Sequence, residues 1–100
     1  MLFVIHGLDK PQSRLREQHI EQHRQYLNDS PVRVISSGPL VSEVSGQMIG
    51  SLVIVDCDDR QAVDAFMADE PFNRLGLYQS LHIHCWQQRV GEFVEQGPLS

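Results

Sequence analysis

No apolar run in the chain approaches the ~20 residues that a membrane-spanning helix needs. No stretch shows the charged, apolar and small-residue order of a cleaved signal peptide either. Cysteine is scarce: only Cys57 and Cys85, isolated from one another and without metal-ligand spacing. Reduced thiols in a cytoplasmic protein are the reading they support. Basic residues are also few, 8 Lys and Arg against 13 Asp and Glu, for a net charge of −5. They are scattered along the chain, so the electrostatic footprint of a nucleic-acid binder is missing. No serine or cysteine stands in a nucleophile elbow, which leaves covalent catalysis weakly supported.

What the chain does have is 41% hydrophobic residues in a length of 100, enough for one core and one domain rather than a disordered segment. The stretch Val32 to Asp56 organises the rest. Its first run, Val32 to Val41, contains Ser36-Ser37-Gly38-Pro39, a signature of a bulge or bend. Ser45-Gly46 marks a reversal. The second run, Ile49 to Val55, is apolar at adjacent positions, as a strand covered on both faces would be.

The remaining segments supply the cover. Leu2-Phe3-Val4-Ile5, bounded by Gly7, reads as another strand buried on both faces. Asp9 to Ser13 is a turn, with Ser13 or Asp9 placed to cap a helix from about Arg14 to Leu27. At ~100° per residue, Leu15, Tyr26, His19, His23, Leu27 and Ile20 fall in one arc of that helix, with His23 central and Arg16 on the same side. Asp58-Asp59-Arg60-Gln61 carries a second cap signal, and Ala62, Val63, Phe66 and Met67 recur with helical spacing. Pro71 ends that helix at or before Glu70. Phe72 to Tyr78 reads as a connection, Leu81 to Trp86 as the last strand, and residues 92–100 as a terminal tail beyond a domain of residues 1–91.

The order strand, helix, strand, strand, helix, strand predicts the ferredoxin-like βαββαβ fold, an α+β domain with a four-stranded antiparallel sheet and both helices on one face. Nothing in the chain is left to cover the other face. A sheet-to-sheet homodimer is the simplest remedy.

Five segments also carry a resemblance: Asp9-Lys10-Pro11, His23 to Leu27, Ser37-Gly38-Pro39-Leu40, Ile49-Gly50-Ser51, and Glu70 to Leu77. In this order and spacing the chain resembles the YCII-related (YciI-like) domain family from Met1 to about Gly91. The resemblance implies a ferredoxin-like fold paired into a dimeric α/β barrel, and an enzyme site built on a histidine and an acid. The family's histidine, before a Tyr-Leu pair, maps onto His23. Its acid, the Asp of a D-P-F or D-P-Y triplet, maps onto Glu70, with Asp69 and His19 as the neighbouring alternatives.

A histidine and a carboxylate make a natural acid–base pair, in which the acid orients the ring and stabilises its charged form. Proton transfer on a small organic substrate, aromatic or keto-acid in type, is the chemistry this pair predicts, in an isomerase- or lyase-like enzyme. The opposing expectation is a packing histidine and a helix-end acid, in a ligand-binding or interaction module that catalyses nothing. Ser37 and Gly38 are candidates to bind the substrate or to shape a bulge. Arg16 is a candidate partner for a substrate carboxylate or for nearby acids. His82 and His84 share one strand face without an evident third ligand, so no metal and no other cofactor is expected.

Overall fold

The apolar run that opens the chain does not stop at Gly7. In the computed structural model, which describes residues 1–92, it continues as β1 (Leu2–Asp9). There follow α1 (Leu15–Asn28), β2 (Arg33–Val41), β3 (Met48–Asp56), α2 (Arg60–Asp69), a single turn α3 (Pro71–Arg74) and β4 (Tyr78–Trp86). Residues 93–100 of the expected tail lie outside the described residues. The sheet is four-stranded in the order β2-β3-β1-β4, and every adjacent pair is antiparallel. This is the ferredoxin-like α+β fold.

Side chains alternate across each strand, and the burial follows that alternation. Phe3, Ile5, Val53 and Val55 point to the helices, where they join Leu27, Val63, Phe66 and Met67 in the core. On the opposite face Val4, Leu52 and Ile54 are only half-buried, and Trp86 is exposed. Adjacent apolar residues in β1 and β3 therefore mark one face buried against the helices and one that the described residues leave open. Register places His6 opposite His82 and Val4 opposite His84 on that open face. The His82 and His84 rings lie parallel there, 6.4 Å apart.

Three local features depart from the expected pattern. Leu15 N–H finds the Ser13 hydroxyl at 3.2 Å, but α1 is kinked at His19, whose φ of −125° leaves the helical range. Arg16, ahead of the kink, is buried along with His23 and Leu27. The β2 ladder slips between Val34 and Ser36 and again between Leu40 and Val41, so the irregularity flanks the Ser-Ser-Gly-Pro segment. The stretch after Glu70 is not a plain connection: Pro71, free of the need for an N–H donor at the first helical position, opens α3.

Gly7 has a reason to lack a side chain inside β1. A Cβ there would stand 2.7 Å from Cδ1 of Tyr78. The Tyr78 ring thus lies directly on the strand backbone, and the glycine is its seat rather than a strand terminator.

Candidate functional site

α2 must end where Pro71 removes the next backbone donor, and this places Glu70 at the junction of α2 and α3. Glu70 is extended (φ −66°, ψ 125°) and caps α3 with its side chain. Its Oε1 accepts from Phe72 N at 3.1 Å and its Oε2 from Asn73 N at 2.9 Å. Only 2% of its side chain is exposed. The remaining capacity of Oε1 is directed at α1, where it meets His23 Nδ1 at 2.6 Å. A carboxylate already accepting from two N–H groups acts as an acceptor toward the ring as well. Nδ1 therefore carries the proton, and Nε2 is left to accept or receive one.

The aromatic floor of this pair is Phe72, fully buried on α3. The His23 ring stacks on it at 4.2 Å and 14°. Tyr78 meets the same ring edge-on at 6.4 Å. The Arg16 guanidinium carbon lies 4.7 Å from its centroid, close enough for a cation–π contact. Arg16 is also gripped from within the chain: Nε and Nη2 donate to the two carboxylate oxygens of Asp9 at 2.7 and 2.8 Å, and Nη2 donates to Ser51 Oγ at 2.8 Å. Burial works against the guanidinium charge, but the bond to Asp9 and its charge outweigh that and hold the group above its ordinary pKa. Tyr78 adds a further contact that favours the charged guanidinium. Burial likewise pushes the Tyr78 phenol well above its usual range, with the Glu70 charge adding to it.

A small recess opens over this cluster, lined by Arg16, Ile20, His23, Arg24, Pro39 and Met48, with an enclosed volume of about 20 Å³. That is room for roughly one water-sized group. His23 and Arg16 reach it. Asp69 does not approach His23 by any hydrogen bond; it is exposed and lines a separate acidic groove with Glu21, Tyr26 and Arg74. His19, at the kink, binds Gln22 through Nδ1 at 3.1 Å.

The two candidates on β2 part company. Ser37 pairs with Val53 and Pro39 with Ser51, so both take the face toward the helices. Gly38 pairs with Leu52 and takes the open face instead. The slip at Ser36 sets this alternation, and Gly38 stands away from the His23 recess as a result. Ser37 Oγ is enclosed and finds no partner. Neither cysteine enters the cluster: Cys57 and Cys85 are free thiols, and burial pushes that of Cys57 up, away from a reactive thiolate. Of the two partners expected for Arg16, the nearby acid is the one present, as Asp9; sequence reasoning did not single out Asp9 or Ser51, nor place Arg24 at the recess. The Glu-Pro-Phe-Asn string did hold one readable signal, an acid immediately before a proline suited to start a helix.

The class that this geometry defines is a ferredoxin-like α+β domain with a buried histidine–carboxylate pair bridging its first helix to the turn before its last strand. The chain belongs to the YCII-related domain family, whose model matches residues 1–87. Among solved structures it is similar to the 5-chloro-2-hydroxyhydroquinone dehydrochlorinase TftG from Burkholderia phenoliruptrix AC1100, in complex with 2,5-dihydroxybenzoquinone. That likeness has a TM-score of 0.82 and 26% identity, over 89% of this chain and 96% of the other. No curated protein matches the sequence. No helix among the described residues is long and apolar enough to cross a membrane.

Proposed function

We propose that this protein is an enzyme acting by general acid–base catalysis on a small organic substrate, in an elimination or isomerisation. The observation that carries the proposal is the 2.6 Å contact between His23 Nδ1 and Glu70 Oε1, with Nε2 left free beside a recess. His23 is the proton carrier and Glu70 fixes its tautomer and orientation. Nε2 takes a proton from an acidic O–H or C–H of the substrate. The electron pair left behind forms the new π bond and, in an elimination, expels the leaving group with its own pair. His23, now charged and stabilised by Glu70, returns the proton to the leaving group or to another carbon. Arg16 and Ser37, the latter through its hydroxyl, are the substrate contacts on this side. The similarity to a dehydrochlorinase whose structure holds a dihydroxyquinone supports a hydroxylated ring or keto-acid as the substrate class.

The proposal includes a cytoplasmic homodimer joined through the open sheet face. The half-buried Val4, Leu52 and Ile54 and the exposed Trp86 support it, since a second copy would bury a face that no element among the described residues covers. One observation favours a second reading, in which His23 is a structural clamp: its side chain is only 6% exposed. Turnover of 5-chloro-2-hydroxyhydroquinone and of small keto-acids by the wild type and by His23→Gln separates the two. An enzyme loses about 10²–10⁴-fold in rate in the variant. Turnover that survives His23→Gln at full rate overturns the catalytic reading.

A further inference from the structure

Two side-chain polar atoms among the described residues are enclosed without a hydrogen-bond partner, Arg24 Nε and Ser37 Oγ. Both belong to the same side of the molecule. Arg24 follows His23 on α1 and lines the recess with it. Ser37 shares the helix-facing side of β2 with Pro39, which lines that recess too. An enclosed charged donor left unpaired is costly, and a ligand atom that accepts from it recovers the difference.

The rest of Arg24 is loosely held. Its Nη1 donates to Glu21 at 2.8 Å, but the Glu21 side chain is 81% exposed, and such pairs hold a side chain weakly. Arg16, the other cation at the recess, has its charge answered by the half-buried Asp9. Arg24 is thus the less neutralised cation beside His23. The enclosed volume of about 20 Å³ admits one oxygen atom rather than a ring. A ring attached to that oxygen would have to lie outside this volume.

We infer that Arg24 anchors an oxyanion of the substrate, a carboxylate or ionised hydroxyl carried on a small planar ring, by donating to it from Nε–H beside His23. The anchor sets which substrate is taken, since a neutral analogue leaves Nε unpaired. This inference rests on the recess being the substrate site proposed above, and it deepens that reading by giving the substrate its charge.

Binding of two probes by isothermal calorimetry tests it: 2,5-dihydroxybenzoquinone, ionised at neutral pH, and the neutral 2,5-dimethoxybenzoquinone. Arg24→Leu should weaken binding of the anion by about tenfold to a hundredfold, the range for one charge-assisted hydrogen bond, and leave the neutral probe unchanged. Its melting temperature should hold or rise, because an enclosed unpaired donor is gone. His23→Gln should keep the affinity for the anion while losing turnover. The inference is overturned if Arg24→Leu binds the anion as tightly as the wild type, if it loses both probes equally, or if the wild type binds the anion no better than the neutral probe. A His23→Gln variant with full turnover, alongside selective loss of the anion in Arg24→Leu, would strike the acid–base reading alone and support the anchor.

Discussion

Replacing Glu70 by glutamine exchanges one oxygen for an amide nitrogen at nearly constant volume, and the geometry around Glu70 makes the consequence calculable. Three donors converge on its carboxylate: Phe72 N, Asn73 N and His23 Nδ1. An amide offers one acceptor, so its NH₂ must confront one of these donors. If the oxygen stays at the Oε1 position, the amide nitrogen faces Asn73 N–H and a helix cap is lost, at about 0.5–2 kcal/mol. If it flips, His23 and Phe72 lose their acceptor together. Either way a donor is left buried and unpaired, costing about 1–3 kcal/mol more. The sum is about 1.5–5 kcal/mol, a large part of the 5–15 kcal/mol that holds a small domain. On a scale of ~4–8 °C per kcal/mol, thermal melting followed by circular dichroism should fall by about 6–40 °C. Asp69→Asn is the control: that side chain is exposed, and its cost should stay within about 0.5 kcal/mol. Glu70→Asp keeps two acceptor oxygens and a good capping residue, but withdraws the carboxylate by about one C–C bond, ~1.5 Å. It should melt closer to the wild type than Glu70→Gln while losing the contact to His23. A fall of under about 5 °C in Glu70→Gln, roughly 1 kcal/mol on the same scale, would refute the three-donor account.

Further outcomes follow from the same geometry. His23→Gln should change stability by less than about 1.5 kcal/mol in urea titrations, because an amide of similar reach can still donate to Glu70; a larger loss would make His23 a packing residue first. Gly7→Ala drives a methyl group into the Tyr78 ring and should destabilise by about 1–3 kcal/mol, the range for overpacking, with the near-ultraviolet tyrosine signal altered. Tyr78 ionises far less readily when folded than when unfolded. Above pH ~10, the ordinary tyrosine value, the unfolded chain releases that proton while the folded chain keeps it, so stability falls as pH rises. The slope between about pH 10 and 11.5 should be shallower in Tyr78→Phe; identical slopes would contradict the burial of the phenol. Sedimentation at micromolar concentration should show a homodimer, whose interface buries at least about 800 Å² per partner. A lone 11.4 kDa species would remove the paired sheets from the proposal.

The order of elements was legible because each strand and helix carries a strong period, and because proline and glycine fall between them. Glu70 and His23 were legible as a pair only through the resemblance to a family; periodicity put His23 inward but said nothing of what it would meet. The kink at His19 had no proline or glycine to announce it, and the smooth helical arc undervalued Arg16. Its grip by Asp9 and Ser51 arises from three separate elements, and no local pattern encodes that. In β2 the Ser-Ser-Gly-Pro string announced an irregularity, but the face each residue takes depends on where the slip falls. With the slip at Ser36, Ser37 turns toward the helices and Gly38 turns away.

The kink divides α1 into two lengths, each tethered by its own acid. The half before His19 is tied through Arg16 to Asp9 at the end of β1. The half after it is tied through His23 to Glu70 at the start of α3. A straight helix on two such moorings would transmit any strain at one to the other. A helix already broken between them can flex at the joint while both stay fast, much as a jointed arm moves without lifting either hand. Backbone amides around His19 and Ile20, next to the recess, should therefore exchange with solvent sooner than those of the last turn near Leu27, and a molecule entering there would meet the most yielding part of the helix.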